Sequence, residues 1–232
     1  MDKERLGVVL LHGAGTGAWV WDRVRRELEE PTIAVDLPLD EAGTTPAKCV
    51  ARILRELDNH EIGRVVAVLH SWAGVLGGEL QHALSGRLAH VVYLSAVVPH
   101  GGGSFVDALP VPQRWILKLL LRRNPNGLRP SDQMIRHEYC NDLTPADSCL
   151  VIDRFQVQRP EPFLIGTRPY RATGAETYIT LGQDQSVSPA LQKKNIKRVG
   201  TPEVVSIEAG HLAMLSRPVA VAASIRDAVS RS

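Results

Sequence analysis

The stretch Arg64-Val65-Val66-Ala67-Val68-Leu69-His70-Ser71-Trp72-Ala73-Gly74 decides how the chain is read. Val65 to Leu69 is an unbroken apolar run with three β-branched members, the pattern of a strand buried on both faces of a parallel sheet. Ser71 follows among small residues, and Val75 to Leu84 is compatible with a helix. A serine on a sharp strand-to-helix turn has its hydroxyl lifted above the sheet. The amides that follow it sit at a helix N-terminus, where a developing oxyanion is stabilised. Such an elbow is written G-x-S-x-G. Here Leu69 and Ala73 replace both glycines, so these residues alone also fit a serine that merely caps a helix.

The flanking sequence supplies the sheet. Upstream, Leu6 to Leu11 reads as a buried strand, Trp21 to Leu28 has helical spacing, and Thr32 to Leu37 reads as a second strand. Thr45-Pro46 is a helix start, a cap followed by proline at the first helical position. Val50, Ile53, Leu54 and Leu57 then make one apolar stripe. Downstream, His90 to Ala96 is the next strand. The β-α alternation predicts an α/β fold, a mostly parallel sheet with helices on both faces. At Pro99 the rhythm stops. From there to Thr173 the chain is rich in Gly, Pro, Arg and Asn, with helical pieces such as Trp115 to Leu121, and reads as an inserted lid. The rhythm resumes with strands at Thr177 to Leu181 and Glu203 to Ile207 and a helix after Pro218. The expected division is a core of residues 1–98 and 174–232 with a lid of 99–173.

Composition narrows the function classes. The 232 residues are 44% hydrophobic and 22% charged, enough for a substantial core, and a net charge of +2 gives no argument for a nucleic-acid partner. No apolar run is long enough to span a membrane. Met1-Asp2-Lys3-Glu4-Arg5 leads straight towards a strand without a signal-peptide pattern, and Cys49, Cys140 and Cys149 form no even framework. The expectation is a cytoplasmic protein with reduced thiols, monomer or homodimer.

A competing motif lies after the first strand. Gly13-Ala14-Gly15-Thr16-Gly17-Ala18 satisfies G-x-G-x-x-G/A, and Asp36 ends the next strand, as in a dinucleotide-binding fingerprint. That would make a Rossmann oxidoreductase. Against it, none of Tyr93, Tyr139, Tyr170 and Tyr178 has a lysine four residues on. The motif also leaves the Ser71 turn and everything after residue 170 without a role, and Asp36 reads better as a structural acid.

An elbow serine needs a base and an orienting acid, placed in loops at the carboxyl ends of later strands, acid before histidine. Gly182-Gln183-Asp184-Gln185 follows one such strand and Glu208-Ala209-Gly210-His211 follows the next, with Glu208 the fallback acid. With His12-Gly13-Ala14-Gly15-Thr16-Gly17-Ala18-Trp19-Val20-Trp21, His70-Ser71-Trp72-Ala73-Gly74 and Gly210-His211-Leu212-Ala213-Met214-Leu215-Ser216-Arg217-Pro218, these pieces carry a resemblance. The chain resembles α/β-hydrolases of the plant methylesterase and hydroxynitrile lyase family, including its bacterial esterase-like members, from about residue 6 to 230, with a poor match over the lid. The resemblance implies an α/β-hydrolase fold and a serine hydrolase of a small carboxylic ester that needs no cofactor and no metal. It implies Ser71 as nucleophile, His211 as base then acid, Asp184 as orienting acid, and the amides of Ala14 and Trp72 as the oxyanion hole. In the lyases that this chain resembles, a lysine follows the catalytic histidine and a threonine follows the first-strand histidine. Leu212 and Gly13 stand there instead, which favours the esterase branch over a lyase.

Other residues receive plainer expectations. His12 and His70 pack or hydrogen-bond, Trp19 and Trp21 belong to the core, and Arg114, Lys118, Arg122 and Arg123 form a solvated face. Phe105, Trp115, Tyr139 and Phe155 are the lid residues expected to line a substrate pocket. A non-catalytic binding protein on the same fold is the alternative class, favoured if the bulk of Leu69 distorts the elbow.

Overall fold

The computed structural model describes residues 5–232. Met1 to Glu4, on which the expectation of no leader rests, lie outside the described residues.

In chain order the elements are β1 (Leu6–Leu11), α1 (Asp22–Arg25), β2 (Thr32–Val35), α2 (Pro46–Asn59), β3 (Arg64–His70), α3 (Gly77–Leu84) and β4 (Leu88–Leu94). The segment that follows contains α4 (Phe105–Ala108), α5 (Val111–Arg123), α6 (Asp132–Tyr139), α7 (Pro145–Arg154) and α8 (Glu161–Leu164). The chain closes with β5 (Glu176–Leu181), α9 (Pro189–Val199), β6 (Glu203–Ile207), α10 (Ala213–Ser216) and α11 (Pro218–Ser230). The six strands form one sheet in the order β2-β1-β3-β4-β5-β6, and every neighbouring pair is parallel.

The apolar strand runs have the expected cause. Alternate residues of β1 and β3 point to opposite faces, and both faces are buried. Val9, Leu11, Val65, Ala67 and Leu69 pack on one side with Ile53 and Leu57 of α2 and Leu80 and Leu84 of α3. Val8, Leu10, Val66 and Val68 pack on the other with Trp21 and with Val221, Ala222 and Ile225 of α11. The stripe read from α2 is this interface, with Val50, Ile53 and Leu57 buried. Thr45 caps the helix, its side chain accepting from the Lys48 amide.

Several boundaries differ from the reading. β2 stops at Val35, where its ladder with β1 ends, and the Leu37 amide donates instead to His12 Nε2 (2.8 Å). The helix expected from Trp21 is preceded by a 3₁₀ turn at Ala18–Trp21, and its α-helical part ends at Arg25. β4 begins at Leu88 and ends at Leu94, because Ser95 turns out of the strand with φ 40°.

The strand order reverses beside β1, which lies between β2 and β3. The loop after β1 and the turn after β3 are therefore neighbours at the carboxyl edge of the sheet, where ligands settle in open α/β sheets. The helices between β4 and β5 reach this edge. The Gln156 amide donates to the Gly15 carbonyl (2.9 Å), the Arg159 amide to Leu39 (2.9 Å) and the Trp72 indole to Pro162 (3.3 Å).

Candidate active site

Ser71 follows the last residue of β3 and begins the 3₁₀ turn Ser71–Leu76 that leads into α3. Its φ is 53°, in the left-handed region that a non-glycine residue enters only when its surroundings hold it there. Leu69 does not disturb this. It is fully buried, stays in register with Leu11 and Tyr93, and the sharp turn begins two residues later. The demand for small residues falls on neighbouring positions. A Cβ on Gly74 would meet the Val97 carbonyl oxygen at 2.6 Å, and one on Gly13 would meet Ser71 Cβ at 2.8 Å. The β1 loop thus comes into close contact with the elbow.

Three side chains from three strand ends meet here. His211 Nε2 lies 3.0 Å from Ser71 Oγ, and His211 Nδ1 lies 2.7 Å from Asp184 Oδ2. Ser71, Asp184 and His211 are all buried. The carboxylate is heavily committed: Ser95 Oγ donates to Oδ2 (2.6 Å), and the Ser186 and Val187 amides donate to Oδ1 (2.8 Å each). Burial pushes the Asp184 carboxyl up, but His211, Ser95 and the Val187 amide outweigh that and leave it below the ordinary carboxylate range. Glu208, the fallback acid, is exposed.

The two flanking histidines hold backbone. His12 accepts from the Leu37 amide at Nε2, so Nδ1 carries the proton and donates to the Gly13 carbonyl (2.8 Å). That clamp joins β2 to the loop beside Ser71. His70 Nε2 donates to the His211 carbonyl (3.0 Å), tying the nucleophile strand to the histidine loop. Burial lowers the pKa of both, His70 the more strongly, with His211 adding to the effect, so both rings are neutral near pH 7.

The glycine motif after β1 serves this architecture. Asp36 accepts the Ala18 amide (2.6 Å), which makes it the structural acid expected. Ala14, in the same loop, lines a cavity of about 350 Å³ into which Ser71 opens. Its amide donates to no backbone or side-chain acceptor among the described residues. Trp72 follows Ser71 as the second residue of the same 3₁₀ turn.

The cavity also brings together Phe105, Tyr139 and Phe155. Tyr139 stands edge-on to the His211 ring (centroids 5.1 Å, 84°) and to Phe155 (5.1 Å, 81°). Trp115 is a correction. It is 66% exposed and does not line the cavity. The wall from α5 is Gln113, Leu117 and Leu121, spaced i, i+4, i+8 on one helix face. Trp115 is two residues out of that phase, about 200° around the helix from Gln113. Trp21 is buried in the core, and Trp19 packs beneath the Arg154 guanidinium (5.4 Å).

Three residues went unread in the sequence. Phe163 lines the cavity against Phe105 (5.3 Å, 86°), and Glu138 lines it from α6. Ser95 was hidden inside a strand read two residues too long. Its signal was position, a hydroxyl at a carboxyl strand end beside the strand that delivers Asp184.

The fold and this set of strand-end residues define an α/β-hydrolase. Residues 8–224 match the alpha/beta hydrolase family, and the chain belongs to it. Its relatives include Methylesterase 4 of Arabidopsis thaliana, 26% identical, with 90% of this chain and 91% of the relative covered. Polyneuridine aldehyde esterase of Rauvolfia serpentina is 24% identical, with 97% and 96% covered. Among solved structures, an extracellular alpha/beta-hydrolase from a Paenibacillus species superposes with a TM-score of 0.85 at 16% identity, covering 96% of this chain and 98% of its own. No helix among the described residues is long and apolar enough to cross a membrane.

Proposed function

We propose that this chain is a serine esterase that cleaves a small carboxylic ester through an acyl-enzyme. The observation that carries this reading is the unbroken chain from Asp184 through His211 to Ser71, at 2.7 and 3.0 Å, ending on a serine held at positive φ in the wall of a cavity. The esterase names of the relatives support the same class.

In this mechanism His211 Nε2 takes the Ser71 proton as Oγ attacks the ester carbonyl. Asp184 holds Nδ1–H and stabilises the imidazolium that forms. The amides of Ala14 and Trp72 receive the oxyanion, each donor contributing roughly 3 kcal/mol to lowering the barrier. Collapse expels the alcohol, which takes the proton from His211. Water then attacks the acyl carbonyl as His211 takes its proton, and collapse releases the acid while His211 returns the proton to Ser71 Oγ. His70 and Ser95 act indirectly as positioning residues, one on the His211 backbone and one on the Asp184 carboxylate.

The division into a core of 1–98 and 174–232 with a lid of 99–173 belongs to this reading, the lid shaping the ester pocket. So does a cytoplasmic setting, which the three unpaired cysteines support. The test is turnover of a short-chain aryl ester. Ser71→Ala and His211→Ala should each lower kcat by about 10⁵ to 10⁶-fold; wild-type turnover in either variant ends the assignment.

A further inference from the structure

The cavity beside Ser71 is lined mainly by apolar side chains, and one charged group stands among them. Glu138 lines it, and no lysine, arginine or histidine does. The position is unusual for a glutamate on α6. Asp132, Gln133, Arg136 and His137 take the exposed face of that helix, where solvated polar residues belong. Met134 and Glu138, four residues apart, both turn to the cavity wall. Glu138 is half-buried, and no side chain or amide among the described residues donates a hydrogen bond to its carboxylate. The charged groups acting on it are His137, His211 and Asp184, and burial raises its pKa above the ordinary glutamate value.

A carboxylate that is half-buried against apolar side chains gains from a cationic partner. Among the described residues no lysine, arginine or histidine joins it in the cavity lining. We propose that the ester taken by this site carries a cationic nitrogen, an alkylammonium group, which pairs with Glu138 while the ester carbonyl lies at Ser71. This rests on the esterase reading above and deepens it: the helices between β4 and β5 select by charge as well as by shape. The same field disfavours esters with a free carboxylate.

The test compares butyrylcholine with its uncharged carbon isostere, 3,3-dimethylbutyl butyrate, which match in shape and differ in charge. For the wild-type enzyme kcat/KM should favour the cation by about fivefold or more, the scale of a half-exposed ion pair. In the isosteric variant Glu138→Gln the ratio should fall to within about threefold of one. A wild-type ratio near one, or a ratio that survives in Glu138→Gln, overturns the assignment of Glu138 and leaves the esterase reading standing. No turnover of either ester, with Ser71 unreactive towards a fluorophosphonate, overturns both.

Discussion

The loops at the strand ends and the helices between β4 and β5 meet at one cavity, but they are anchored differently. Ser71 follows directly from the buried strand β3, Asp184 and His211 lie in the loops just beyond β5 and the edge strand β6, and backbone clamps from His12 and His70 join the loops to one another. The inserted helices are joined to the core by hydrogen bonds such as Asn141 to the Gln183 carbonyl (2.8 Å) and the Gln156 amide to Gly15 (2.9 Å), by the Arg23–Asp147 pair (2.6 Å), and by buried side chains such as Ile135, Val151 and Phe163. Rigid loops of this kind suit chemistry that fails when atoms are misplaced by an ångström. A wall built from helix side chains, outside the strand ladder, can be reshaped without touching that chemistry. The difference therefore separates reaction from selection within one site.

Substitutions can break that separation in order of expected size. Asp184→Asn keeps the shape of the acid but favours the wrong tautomer of His211, and kcat should fall by about 10⁴-fold with KM little changed. A loss spread equally over kcat and KM would place Asp184 in binding and blur the division. Ser95→Ala removes one of four donors to the Asp184 carboxylate. It should lower kcat by about tenfold at constant KM, the worth of one charge-assisted hydrogen bond. A pH–rate profile identical to wild type in that variant would reduce Ser95 to packing alone. Trp115→Ala should leave kcat/KM within about twofold, as for a surface change outside the site. A large loss on a small ester would return Trp115 to the pocket.

The same contrast governs what could be read from the sequence. The centre of the sheet was legible because β1 and β3 carry apolar runs, and β1 and β6 begin and end where the pattern says. Asp184 and His211 were legible because a strand end fixes where a loop residue lies relative to the sheet. Boundaries slipped where tertiary hydrogen bonds compete with the ladder, as when the Leu37 amide goes to His12, or where a positive φ ends a strand early, as at Ser95. The inserted helices gave no such frame. Their apolar residues are readable, but which face of α5 or α6 meets the cavity depends on how each helix is docked. That is why Trp115 was placed inside, while Phe163 and Glu138 were not seen.

The central claim is that Ser71 is a nucleophile activated by His211. Treating the folded protein with a fluorophosphonate and mapping the adduct by mass spectrometry tests it most directly. The account predicts a single phosphonylated residue, Ser71, and loss of the adduct in His211→Ala. Protein that melts cooperatively yet carries no adduct on Ser71 would contradict it.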